Sequence, residues 1–260
     1  MYQKEAEKFI DSNIFEGMTS ISALIKSINS GKNSRKINKI LFDKERLSKK
    51  TPEYNFLKAN ADIIGYQLEL CDKDIISSFT IGNSHGGIIA FCSDRIIQNL
   101  KEADIKKDGI YYMLDGVEDP YNFGNSIRSL YASGADGIIV PNRNWLGAAG
   151  VVARSSAGTS ELIDTYVIDD CLSAAKHFKE LGYSVVCAGI RDSVDLFDAD
   201  IKKPLFIIIG GEKRGISRAV LDMADLVVRI SYGNSFNGSL STSATAAVFG
   251  FEINRKTRNL

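Results

Sequence analysis

The sequence has little with which to hold a metal ion. Its 260 residues include four cysteines and two histidines. No two of Cys71, Cys92, Cys171 and Cys187 have CxxC spacing, and only His85 and His177 could join them. No metal is expected, and the thiols read as small buried hydrophobes in a reducing compartment. Long apolar runs are missing too, so no segment is expected to span a membrane. Met1-Tyr2-Gln3-Lys4-Glu5 has no apolar signal core behind it, which gives the expectation of a soluble, cytoplasmic protein. There is no charge excess: Lys+Arg and Asp+Glu are both 32. That argues against coating nucleic acid by bulk charge. Internal repeats, GxGxxG spacing and a Walker Gly-Lys-Ser/Thr loop are absent as well, so a nucleotide of Rossmann or P-loop type is unsupported.

The charge is uneven locally. Lys32, Arg35, Lys36, Lys39, Lys44, Arg46, Lys49 and Lys50 face only Asp43 and Glu45 in the same stretch. This is either a patch facing RNA or a solvated surface with no partner.

The length suits two domains. In the first, Ile21, Leu24, Ile25 and Ile28 recur at helical spacing, and 37–42 reads as a strand. A helix over 53–65 ends at Gly65, a short strand covers 66–70, and a glycine turn at His85-Gly86-Gly87 leads into a buried strand. After a polar stretch, 98–109, strands are expected at 110–114, 137–140, 184–187, 205–209 and 226–230, all continuous apolar runs. Helices fit between them: Ile127, Leu130 and Tyr131 share one face, and Ala244, Ala247, Val248 and Phe251 mark a last long helix. Alternating strand and helix predicts an α/β fold with a mostly parallel sheet flanked by helices, with domains at 1–100 and 101–260.

Three clusters follow predicted strands, where parallel α/β sheets bind ligands. In the first, Pro120 and Gly124 shape a turn into a helix. Asn122 sits at that turn, and Arg128 is placed about one turn into the helix, a site suited to an anion. The plainer alternative is that Asn122 caps the helix and Arg128 is a surface charge. In the second, Gly210 and Gly211 allow close backbone approach, with Glu212 beside them and Ser217 as a candidate cap. The third runs from Ile230 through Ser239-Leu240-Ser241-Thr242-Ser243 into an alanine-rich helix, either a polar ligand site or an ordinary cap.

In order and spacing, Asn122-x-Gly124-x-x-x-Arg128, Gly210-x-Glu212-x-x-Gly215, and Ile230 with Ser239-Leu240 resemble the three motifs of the SpoU, or TrmH-like, RNA 2′-O-methyltransferases. The front domain, with its closing His85-Gly86-Gly87-Ile88-Ile89-Ala90, resembles that family's substrate-binding domain. The resemblance runs from about residue 17 to 255. The third motif departs from it: Ser241 stands where the family usually has Asn, Tyr232 where it often has Met, and Ser231 where it has Pro.

The resemblance implies a carboxyl-terminal trefoil knot, a homodimer with its site at the interface, and methyl transfer from S-adenosyl-L-methionine to a ribose 2′-hydroxyl of RNA. The two-domain layout favours ribosomal over transfer RNA by analogy. Gly210, Ile230 and Leu240 would contact the cofactor largely through backbone groups, with Ala188, Gly189 and Ser239 bordering it. Arg128 would favour the developing negative charge on the ribose oxygen, and Asn122, Glu212, Ser239 and Ser241 would arrange the site. Two rivals remain: an RNA-binding protein on the same fold without activity, motivated by Ser241, and an α/β enzyme acting on a small nucleotide.

Overall fold

The computed structural model describes residues 13–80, 84–141, 148–211 and 215–258. The chain divides into two compact units. The first comprises Met1–Ile96 with Asn144–Leu162, and the second Ile97–Arg143 with Ile163–Leu260. The dividing point near residue 96 lies close to the expected boundary at 100, but among the described residues 148–162 pack with the amino-terminal unit, not with the sequence on either side of them.

In the first unit, strands β1 (Ile14–Glu16), β2 (Ile37–Asp43), β3 (Gln67–Cys71) and β4 (Ile88–Cys92) form a sheet in the order β1-β4-β2-β3. β4 runs antiparallel to β1 and β2, and β3 is parallel to β2. Helix α1 (Gly17–Asn29) buries Ile21, Leu24 and Ile25, as its spacing predicts. Helix α2 (Thr51–Ile64) has Pro52 in its first turn and ends at Gly65, whose φ of 88° is the left-handed conformation glycine adopts without strain. Helix α3 (Lys73–Phe79) follows β3. Two short helices, α5 (Ala149–Ser155) and α6 (Thr159–Leu162), complete the unit. Ala149 and Ala153 share a core with Phe15, Leu24, Phe42 and Leu57. At Gly158 any side chain would start 2.4 Å from the Ala23 Cβ, so the 156–159 turn sits directly against α1.

The second unit is an eight-stranded sheet ordered β10-β12-β9-β11-β6-β7-β8-β5. Its strands are β5 (Gln98–Asn99), β6 (Ile110–Asp115), β7 (Gly137–Pro141), β8 (Asp164–Ile168), β9 (Ser184–Ala188), β10 (Val194–Asp195), β11 (Leu205–Gly210) and β12 (Leu226–Arg229). Its recorded pairings are parallel. Helices α4 (Pro120–Ala132), α7 (Cys171–Glu180), α8 (Arg218–Leu221) and α9 (Thr242–Thr257) connect and flank the strands. Leu205 to Ile209 are almost wholly buried, each side chain contributing about 1.5–3 kcal/mol of gross hydrophobic stabilisation. Phe178 of α7 stacks on Phe206 at 4.2 Å between centroids. Cys92, Cys171 and Cys187 are buried free thiols, and burial pushes those of Cys92 and Cys187 up to about 12, which makes them inert.

The structure differs from the sequence expectation in two helices. The buried residues of α9 are Thr242, Ala246, Phe249, Gly250, Glu252 and Ile253, whereas Phe251, one of the apolar positions that mark the helix in the sequence, is 54% exposed. In α4, Ile127 and Leu130 are buried but Tyr131 is 39% exposed.

Candidate active site at the carboxyl edge of the parallel sheet

β12, β9, β11 and β6 are neighbours in that order and run parallel, so their carboxyl ends lie along one edge. Gly210 is level with Asp115, and Ala188 is level with Val228. The segments after β6, β11 and β12 are the three motif clusters, and the end of β9 contributes Ala188 and Gly189. The topology therefore assembles residues from 115 to 241 on one edge, as ligand sites in this architecture require.

The glycines there answer to backbone crowding. A Cβ on Gly210 would lie 2.8 Å from the Gly215 carbonyl carbon, and one on Gly211 would lie 2.4 Å from the Gly116 oxygen. The Gly211 N–H donates to the Asp115 oxygen at 2.6 Å, which ties the end of β11 to the turn after β6. A Cβ on Gly189 would meet Val227 at 2.9 Å, and its N–H donates to the Val228 oxygen. Backbone thus forms much of this wall. Ala188, Gly210, Ile230 and Leu240 are half-buried. Glu212 lies outside the described residues.

The first cluster is built differently from the sequence expectation. Asp119 is the cap of α4, its carboxylate accepting from the Asn122 N–H at 2.8 Å, and Pro120 opens the helix. Gly124 lies within the helix, and Arg128 is eight residues beyond Pro120, two turns in and not one. Arg128 is therefore not beside the free N–H groups of the helix start. Its guanidinium is exposed and has no hydrogen bond or ion pair with the described residues, so it is available to an external anion. Asn122 is half-buried in the first turn, and its carbonyl accepts from the Ser126 hydroxyl at 2.7 Å.

In the third cluster Ser239 and Ser241 are both exposed. Ser241 caps α9: its Oγ accepts from the Ala244 N–H at 3.2 Å and lies 3.1 Å from the Ser243 hydroxyl. The segment from 231 to 240 carries a feature that single-residue reading missed. The Tyr232 hydroxyl accepts from the Leu240 N–H at 3.3 Å, and its ring lies 5.6 Å from that of Phe236. Near the start of this loop the Ser231 hydroxyl and the Phe197 N–H, which donates to Asp195 at 2.8 Å, hold the Asp195 carboxyl below its usual range.

Half of the basic residues in the stretch 32–50 are paired with acidic ones. Arg35 is buried against Glu161 at 3.0 Å and so does not face RNA. Lys39 pairs with Glu69, Lys44 with Asp72 at 2.6 Å, and Arg46 with Asp43. Lys36, Lys49 and Lys50 keep no ion pair among the described residues.

Among the described residues no helix is long and apolar enough to cross a membrane, and no cluster of His, Cys, Asp and Glu could hold a metal.

Comparison with known proteins adds independent support. The SpoU rRNA Methylase family matches residues 109–251. A Staphylococcus haemolyticus protein of the TrmH tRNA/rRNA methyltransferase family is 34% identical over 63% of this chain, which spans 64% of that protein's length. The 23S rRNA (guanosine-2′-O-)-methyltransferase RlmB of Shewanella oneidensis is 29% identical over 76% of this chain and 82% of its own. Among solved structures, an RNA 2′-O ribose methyltransferase superposes with a TM-score of 0.75 at 21% identity, covering 94% of this chain and 88% of that one. An AdoMet-bound rRNA methyltransferase from Sinorhizobium meliloti gives 0.77 at 22% identity, covering 98% and 90%. These two likenesses bear on the fold, which they match across both units. With its three motifs brought to one sheet edge and the family match covering more than half its length, the chain belongs to the SpoU rRNA methylase family.

Proposed function

We propose that this protein is an RNA 2′-O-methyltransferase that uses S-adenosyl-L-methionine, with ribosomal RNA its substrate and the cytoplasm its place of action. The observation that carries this reading is the convergence of the three motif clusters on the edge formed by β12, β9, β11 and β6. The edge suits a cofactor recognised through main-chain groups. Gly210 lies too close to the Gly215 main chain to carry a side chain, and Gly210, Ile230 and Leu240 are half-buried there with Ala188, Gly189 and Ser239 alongside. When bound, the cofactor supplies a sulfonium methyl, which needs no metal to leave.

The chain's own task is to present the nucleophile. A ribose hydroxyl holds its proton tightly at neutral pH, so the site must align it and favour charge on its oxygen. Arg128, exposed on α4 and uncommitted, fits that task as a permanent cation that pairs with a phosphate beside the target ribose. Asn122, Glu212 and Ser239 orient Arg128 and the ribose. Ser241 contributes through the cap it gives α9.

The dimer is supported by what the folded chain leaves bare. Phe251 on α9 and Tyr131 on α4 are exposed, and those two helices pack on each other. The knot is supported by the segment after β9: Lys256 near the chain's end donates to the Phe197 and Ala199 oxygens at 2.8 and 3.0 Å. RNA contact by the first unit rests on Lys36, Lys49 and Lys50.

The test is transfer of labelled methyl from S-adenosyl-L-methionine into total RNA, with the product nucleotide resisting alkaline cleavage because its 2′-oxygen is blocked. Ribosomal RNA should be labelled before transfer RNA. Binding of RNA with no stabilisation by S-adenosylhomocysteine would favour the non-catalytic alternative.

A further inference from the structure

We propose that Tyr232 is a positioning residue for the cofactor-facing main chain, holding the Leu240 amide through its phenol oxygen; the proposal rests on the cofactor reading given above. The loop between β12 and α9 has few anchors. At its start, β12 is tied to β10, where Arg229 is level with Asp195. At its end, Ser241 is spent on capping α9, accepting from the Ala244 N–H. Between them, the Tyr232 Oη accepts from the Leu240 N–H at 3.3 Å and closes the chain from 232 to 240 into a ring. The Phe236 ring packs on Tyr232, tilted by 59°. Gly238 lies under that ring, where a Cβ would start 2.5 Å from the Phe236 Cζ, so a side chain there would push the Phe236 ring aside.

Two departures from the family resemblance meet in this loop. An asparagine at 241 could cap α9 with its carbonyl and still offer two amide donors backward, whereas serine has one short hydroxyl. A methionine at 232 could only weakly accept from an amide, whereas tyrosine accepts well. Position 241 loses a means of arranging the loop, and position 232 gains one. Tyr232 is 41% exposed, so burial of its ring is not what it is there for.

The tests are the Tyr232→Phe variant, which keeps the ring and removes the acceptor, and Tyr232→Phe combined with Ser241→Asn. A net neutral hydrogen bond corresponds to about a two- to ten-fold change in an equilibrium constant. The KM for S-adenosyl-L-methionine and the Kd for S-adenosylhomocysteine should each rise by about that factor in the single variant. The kcat at saturating cofactor and the KM for RNA should stay unchanged, a split that general loosening of the fold would not produce. The Leu240 amide should exchange with solvent faster, and the double variant should recover most of the lost affinity. Unchanged affinity in Tyr232→Phe, a loss confined to kcat, or no recovery in the double variant overturns the proposal. Failure of the wild-type protein to respond to S-adenosylhomocysteine overturns the functional reading and the cofactor role of Tyr232 with it. An unprotected Leu240 amide in wild-type protein that does bind S-adenosylhomocysteine overturns the Tyr232 contact alone.

Discussion

Arg35 and Glu161 are 126 positions apart in sequence and form a buried ion pair of 3.0 Å in the first unit. The pair is fully hydrogen-bonded: Asn33 donates to the same Glu161 oxygen at 2.8 Å, and Arg35 also reaches the Ser93 carbonyl at 2.8 Å. Removing one partner leaves a charge buried without compensation. Arg35→Ala or Glu161→Ala should cost about 3–5 kcal/mol of stability, read from urea unfolding. The double variant should cost less than the sum of the two, and additive losses would contradict the coupling.

Arg128→Ala should lower methyl transfer on the order of a hundred-fold or more and leave the Kd for S-adenosylhomocysteine unchanged. The side chain is exposed on α4, whereas the proposed cofactor wall draws on the ends of β9, β11 and β12. Arg128→Lys should also fail, since one ammonium cannot reproduce the planar fork. Full activity in Arg128→Ala would remove the arginine from the mechanism.

A Cβ at position 210 meets backbone, not the tip of a flexible side chain. Gly210→Ala should therefore push Gly215 away from the end of β11, abolish the thermal response to S-adenosylhomocysteine and destabilise the protein by about 1–3 kcal/mol. A variant that binds as wild type would show that this wall is more yielding than its spacing implies.

His85 is buried, and its Nδ1 accepts from the Gly87 N–H at 3.0 Å. Burial holds its pKa below the ordinary 6.5, with neighbouring charges adding smaller effects of both signs. A depressed folded pKa means stability that is present above about pH 6.5 and lost as the pH falls through the folded value. Wild-type protein should lose stability as the pH drops below about 6.5, and His85→Asn should flatten that dependence. Equal slopes in the two proteins would mean that His85 does not control it.

The central strands were legible because burial on both faces leaves an unbroken apolar run, as in Leu205 to Ile209. β8 was not, because Asp164, Thr165 and Tyr166 are only half-buried and give no such run. The start of α4 was legible but misread. Asp119-Pro120 is a cap followed by a first-turn proline, and that signal outweighs the glycine at 124. The error put Arg128 a turn too close to the helix start. The motif clusters were legible because each follows a strand end. The Tyr232–Leu240 contact was not, since loop conformation decides it and neither residue announces its partner. Pairing of Arg35 with Glu161 was equally hidden, and a run of basic residues looked more available to RNA than it is.

The placement of 144–162 also sets an order of events during synthesis. The first ninety-six residues emerge without α5 and α6, whose Ala149 and Ala153 complete their core. Glu161, which neutralises Arg35, is absent until the ribosome has passed β6, α4 and β7. The amino-terminal unit therefore cannot finish folding ahead of the rest, as leading domains generally do. It must wait, with an apolar face and an unpaired guanidinium, while the first strands of the second sheet are made. The same dependence means that residues 1–96 expressed alone should be less stable than the intact chain and prone to aggregate.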